Sequence, residues 1–123
     1  MGSIESRFKI SGGDLLQLSE QQLVDCCKYL GSDGCNGGDE DSALDYARDF
    51  GMMNETEYVY TAQTQNCSYN ETLITPARPK NRTNVIKNNA TDLMAAVATG
   101  PVSVALEADT LVFQFYTGGI LNS

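Results

Sequence analysis

Apolar positions fall at helical spacing through the first half of the chain and alternate in parts of the second. Ile4, Phe8 and Ile10 make a weak helical stripe that Gly12-Gly13 ends. Ser19-Glu20-Gln21-Gln22 reads as a capping box, in which Ser19 accepts from the first turn and Gln22 reaches back to the Ser19 N–H. Leu23 and Val24 then open a short helix running to about Tyr29. A second helix starts at Asp39-Glu40-Asp41, where acidic groups favour the positive helix end. Ala43, Leu44, Ala47 and Phe50 form its buried stripe, and Gly51 stops it.

The second half is less regular. Residues 52 to 80 read mostly as loop, with Tyr58, Tyr60 and Tyr69 clustered in them. Asn84-Val85-Ile86 is a candidate short strand. Thr91 is placed to cap a helix over Leu93, Met94, Ala96 and Val97, and Gly100-Pro101 ends it. Val102, Val104 and Leu106 alternate with Ser103 and Ala105, the pattern of a strand. Leu111 to Tyr116 is an aromatic-rich turn of helix, broken by Gly118-Gly119. The order is α+β, not a repeating βαβ one.

Composition narrows the function classes. The 123 residues, 41% of them hydrophobic, fit one globular domain. The formal net charge of −8 argues against nucleic acid and against an anionic membrane surface, both of which recruit basic clusters. No apolar run approaches the ~20 residues of a membrane-spanning helix. The chain has no histidine, which removes Cys/His zinc sites, and no metal or other cofactor is expected.

Four cysteines, Cys26, Cys27, Cys35 and Cys67, allow three two-bridge pairings. N-x-[ST] triplets begin at Asn54, Asn66, Asn70, Asn81 and Asn89. With nine asparagines, and 19 serines and threonines among 123 residues, chance supplies only about 1.4 such triplets. The excess favours a secretory chain with oxidised cysteines and glycosylation at those five positions. A lysosomal, vacuolar or extracellular location follows.

Two motifs carry a resemblance. Leu18-Ser19-Glu20-Gln21-Gln22-Leu23-Val24-Asp25-Cys26 matches the LSEQxLVDC run of papain-like, cathepsin L-type cysteine proteases. Gly34-Cys35-Asn36-Gly37-Gly38 matches their GCNGG loop. Tyr58-Val59-Tyr60 resembles their Y-P-Y, with valine where proline is usual. Cys67-Ser68-Tyr69, Gly100-Pro101-Val102-Ser103-Val104-Ala105 and Tyr116-Thr117-Gly118-Gly119-Ile120 extend the match over nearly the whole chain.

The resemblance implies a partial two-lobed fold, with a helical left lobe over about 1–60 and an incomplete β-barrel right lobe over about 61–123. It implies a peptide or protein substrate bound by Asn36, Gly37, Gly38, Asp39, Glu40 and Ala105. The glycine pair would hydrogen-bond an extended peptide, and Asp39, Glu40 and Ala105 would wall the pocket that sets specificity. The acidic pair departs from the apolar side chains frequent there, and helix-end charge alone also explains it. The resemblance pairs Cys26 with Cys67 and places the partner of Cys35 outside the chain, leaving Cys27 as an extra cysteine.

By the same registration the nucleophilic cysteine falls about six residues before Met1, and the histidine more than about 120 residues after it. No catalytic residue is therefore assigned here. The expected function is that of an internal portion of a cysteine endopeptidase, inactive by itself. The alternative is a pseudoprotease that binds peptides or protein partners without cleaving them. The apolar stripes of such a portion would be shaped to pack on absent segments, so the isolated chain is expected to be molten or aggregated.

Overall fold

The computed structural model describes residues 1–121. Five α-helices appear: α1 (Gly2–Ile10), α2 (Glu20–Cys26), α3 (Glu40–Phe50), α4 (Ala90–Ala98) and α5 (Leu111–Gln114). Short 3₁₀ turns at Cys27–Leu30, Gly34–Asn36 and Glu71–Leu73 join them. β-Structure among the described residues is limited to two isolated antiparallel bridges, Leu18 with Asn54 and Met53 with Ile74.

The caps explain where the helices begin. Ser19 Oγ accepts from Gln22 N at 3.0 Å and itself donates to the Tyr58 carbonyl at 2.6 Å. The reciprocal half of the capping box is not formed, because Gln22 is drawn into the core. Its Nε2 donates to Tyr46 Oη and the Gly51 carbonyl, both at 3.1 Å, and its Oε1 accepts from Met53 N at 2.7 Å. A buried backbone that lacks a sheet partner needs such a side chain to satisfy it. Asp39 caps α3 by accepting from Ser42 N at 3.0 Å. Gly51 ends α3 at φ 79°, where a side chain would be strained. At α4 the cap is Asn89, which accepts from Asp92 N at 3.0 Å, and not Thr91. Asn88 sits at φ 60°, and that turn delivers the Asn89 side chain to the helix end.

The core comprises Leu18, Cys26, Cys27, Tyr46, Ala47, Met52, Met53, Tyr58 and Ala77. On α3 the sealed residues are Tyr46 and Ala47, while Phe50 is 37% exposed, so the expected apolar stripe is shifted toward Tyr46. Tyr46 can be buried because Gln22 satisfies its hydroxyl and Phe50 stacks on its ring at 5.1 Å. Four polar residues are buried with the core: Ser19, Gln21, Gln22 and Asp25. Asp25 accepts from Tyr58 Oη and Gln65 N at 2.7 Å and from Gln21 Nε2 at 2.9 Å. A carboxylate so fully supplied with donors can remain buried at little cost.

Residues 84–86 and 102–106, read from sequence as strands, take no strand pairing in the described structure, and no barrel is formed. A strand needs a hydrogen-bonded neighbour, and 102–106 faces α1. Arg7 Nε donates to the Pro101 carbonyl at 2.8 Å, and the hydroxyls of Ser3 and Ser103 meet at 3.0 Å.

Candidate functional site

The loop between α2 and α3 is built to present bare backbone. Asp33 N donates to the Gly37 carbonyl at 2.8 Å, and Asn36 N donates to the Asp33 carbonyl at 2.9 Å. Asn36 Nδ2 ties the same turn to Asp33 Oδ2 at 3.1 Å. Thr64 Oγ1 holds Cys35 N from outside at 3.0 Å. Gly37 adopts φ 123°, and a Cβ there would meet open space, so conformation alone demands glycine at this position. At Gly38 a Cβ would come within 2.5 Å of Ser32 Oγ. Gly38 is exposed, and neither its N–H nor its C=O has a protein partner among the described residues. One free donor and one free acceptor on one exposed residue are what an added extended peptide requires.

Past the loop, Asp39, Glu40 and Ala105 line one cavity of about 980 Å³, bounded also by Ile4, Leu44 and Leu93. Asn36, Gly37 and Gly38 lie beside it and do not line it. Asp39 is engaged in its own helix. The Ser42 hydroxyl, followed by the Ser42 N–H, holds its carboxyl below the ordinary carboxylate range. Glu40 is exposed at the cavity wall. The structure thus brings three of the six sequence-nominated residues to one wall and sets the other three on the adjoining loop.

Thiolate attack needs a cysteine whose pKa is lowered beside a base, and the chain contains no histidine. Cys26 is bonded to Cys67, with Cα atoms 4.8 Å apart. Cys27 is a buried free thiol lying 3.6 Å from the Ser42 carbonyl, and Cys35 is free and exposed. No cluster of three or more His, Cys, Asp or Glu suited to a metal occurs among the described residues. The motif resemblance nominates the glycine pair as a whole; that Gly38 is the one with both backbone groups unpaired depends on which loop atoms are already bonded and is not legible from the motif.

Comparison with known proteins decides the lineage. The model of the papain family cysteine proteases matches residues 1–123. This chain belongs to the papain family. Cysteine proteinase 6 of Dictyostelium discoideum is 40% identical, the match covering 98% of this chain and 28% of that protein. Cathepsin L1 of Drosophila melanogaster is 39% identical over 98% of this chain and 33% of its own length. A crystal structure of the Carica candamarcensis cysteine protease CMS1MS2 in complex with E-64 superposes with a TM-score of 0.85 at 35% identity. That superposition covers 95% of this chain and 54% of the other. The papain-family chain described here therefore spans about a third of the length of the curated relatives it matches.

Proposed function

We propose that this chain is the substrate-binding middle of a papain-like cysteine endopeptidase, and that it does not cleave peptides by itself. The observation that carries this reading is the exposed Gly38, with its N–H and C=O both unpaired. An extended peptide laid along Asn36-Gly37-Gly38 gains two main-chain hydrogen bonds there and directs alternate side chains toward the cavity wall of Asp39, Glu40 and Ala105. The thiolate and the imidazole would come from elsewhere in a longer protein. Burial in the secretory pathway, with delivery to a lysosome, a vacuole or the cell exterior, fits the disulfide and the sequons. A division into a left lobe over about 1–60 and a right lobe over about 61–123 belongs to the same proposal.

A second reading is a pseudoprotease that binds peptides or protein partners without turnover. Sequence on either side of this stretch separates the two, since only the endopeptidase reading requires a nucleophilic cysteine upstream and a histidine downstream. For the binding role, the test is Gly38→Pro in the complete protein, which removes one N–H, read against Gly38→Ala, which keeps the N–H and brings the same Cβ against Ser32 Oγ. Loss of one hydrogen bond worth about 1 kcal/mol lowers kcat/KM by roughly fivefold or more. Unchanged kcat/KM sinks the assignment of Gly38. For the isolated chain, no amide hydrolysis and no covalent labelling by E-64 are expected, and labelling at Cys27 or Cys35 with turnover would contradict that.

A further inference from the structure

We propose that Asn70 and Asn54 are acceptors of N-linked oligosaccharide. Both head N-x-T triplets, Asn70-Glu71-Thr72 and Asn54-Glu55-Thr56, and the two triplets fold alike. Asn70 Oδ1 accepts from Thr72 N at 3.0 Å and from Thr72 Oγ1 at 2.8 Å. Asn54 Oδ1 accepts from Thr56 N at 3.0 Å and from Thr56 Oγ1 at 2.9 Å. Each amide therefore turns its carbonyl toward its own threonine and its Nδ2 away from it.

Neither Nδ2 donates to any protein group among the described residues. Asn54 Nδ2 is not sealed from water, because Glu55 Oε2 is the one side-chain nitrogen or oxygen of a non-exposed described residue that is both sealed and unpartnered. Asn70 is exposed and Asn54 half-buried. Among the described residues a free Nδ2 is shared by Asn66, Asn81 and Asn89, and by Asn88 outside any triplet; what sets Asn54 and Asn70 apart is that each Oδ1 accepts both the N–H and the hydroxyl of its own threonine. Two other asparagines outside any triplet use their Nδ2. Asn36 Nδ2 donates to Asp33 Oδ2 at 3.1 Å, and Asn84 Nδ2 donates to Asp41 Oδ2 at 2.9 Å. Asn81 lines the cavity that holds Glu40 and Ala105, whereas Asn54 and Asn70 do not. Glycans on Asn54 and Asn70 thus leave the peptide-binding wall uncovered, and the assignment stands independently of what that wall binds.

The modification is a group transfer from a lipid-diphosphate-linked oligosaccharide, catalysed in the secretory lumen. Nδ2 attacks the anomeric carbon, a C–N bond forms and the C–O bond to the diphosphate breaks. The lipid diphosphate leaves with the bonding electron pair, and Nδ2 gives up one proton. Transfer precedes folding, so the folded chain need only leave Nδ2 unpartnered and open to solvent, as both residues do.

The test uses the full-length protein that carries this chain, expressed through the secretory pathway of a eukaryotic cell. Peptide-N-glycosidase digestion in heavy-oxygen water, followed by peptide mapping, should convert Asn70 and Asn54 to labelled aspartate. A parallel digest without the glycosidase reads spontaneous deamidation, to which Asn36-Gly37 is prone. Asn70→Gln and Asn54→Gln should each remove the mass of one glycan. Thr72→Ala should act like Asn70→Gln, while Thr72→Ser keeps the glycan. Unlabelled asparagine at both positions overturns the proposal, and so does labelling confined to Asn66, Asn81 or Asn89.

Discussion

Residues 18–77 and residues 78–121 are both rich in apolar side chains, yet only the first stretch makes a core. Every buried hydrophobic residue lies between Leu18 and Ala77, and no residue from 78 to 121 is buried. In the second stretch Val104 is 57% exposed, Leu111 71% and Phe115 74%. The difference lies in what closes each stretch. The first is crossed by a disulfide and by buried polar side chains, Gln21, Gln22 and Asp25, that satisfy the backbone of 51–65 from α2. The second offers alternating apolar residues with no facing strand among the described residues. Contiguous exposed apolar surface is either an interaction site or an aggregation liability.

The largest effect should come from removing the crosslink. Cys26 and Cys67 are 41 residues apart, and opening a loop of that size removes about 4 kcal/mol in the chain-entropy treatment. Replacing both cysteines with alanine should abolish amide-exchange protection in 18–77 while leaving 78–121 as rapidly exchanging as before. Equal loss of protection in both stretches would erase the contrast.

Gln22 comes next. Truncation to alanine strands the Met53 N–H, the Gly51 carbonyl and the Tyr46 hydroxyl, and the expected cost is about 3 kcal/mol. Thermal unfolding and exchange at Met53 report it. A shift no larger than that of an exposed glutamine would mean that water replaces the side chain freely.

These two sites show how far the sequence could be read. The caps at Ser19 and Asp39 and the stop at Gly51 were legible because each rests on local chemistry, a short oxygen-bearing side chain or a glycine able to take positive φ. The Gly37-Gly38 loop was legible from its motif. The burial of Gln22 and Tyr46 was not, because periodicity counts apolar residues and gives no weight to a polar residue whose partners are distant in the chain. Asn89 displaced Thr91 as a cap because the turn at Asn88 decides which side chain reaches the helix end. The strand expected at 102–106 has the right alternation, but alternation specifies a face and not a partner, and Asn84-Val85-Ile86 is too short to hold a strand without one.

Tyr46 provides a pH-dependent test of the same core. Burial pushes its hydroxyl up to about 12, above an ordinary value of about 10. The folded state therefore holds a proton that the unfolded chain releases between those values. Stability from this group is complete below pH 10 and lost as pH rises toward 12, by about 2–3 kcal/mol. Tyr58 is also raised, first by burial, and contributes in the same direction. Exposed Tyr29, Tyr60 and Tyr116 also absorb as tyrosinate, so the readout is the difference between the parent chain and Tyr46→Phe, which should coincide with loss of structure. Tyr46→Phe should flatten the stability dependence, and a difference signal appearing in a still-folded chain would place Tyr46 in contact with water.

The smallest expected effect is the sharpest test of the second stretch. Leu111 on α5 and Val104 are mostly exposed, and a side chain with little buried area has little hydrophobic stabilisation to lose. Leu111→Ser together with Val104→Ser should change the unfolding free energy of the isolated chain by less than about 0.5 kcal/mol. The same pair should reduce self-association, since unpartnered apolar segments promote contact between copies. In a longer protein of the kind proposed, the outcome should reverse. If the remaining sequence covers this face, each substitution there removes a buried apolar group and costs about 1–3 kcal/mol. Light scattering and thermal unfolding on both proteins give the four numbers needed. A large loss of stability in the isolated chain would show that 78–121 packs a core of its own, and equal insensitivity in the complete protein would show that nothing in it covers this face.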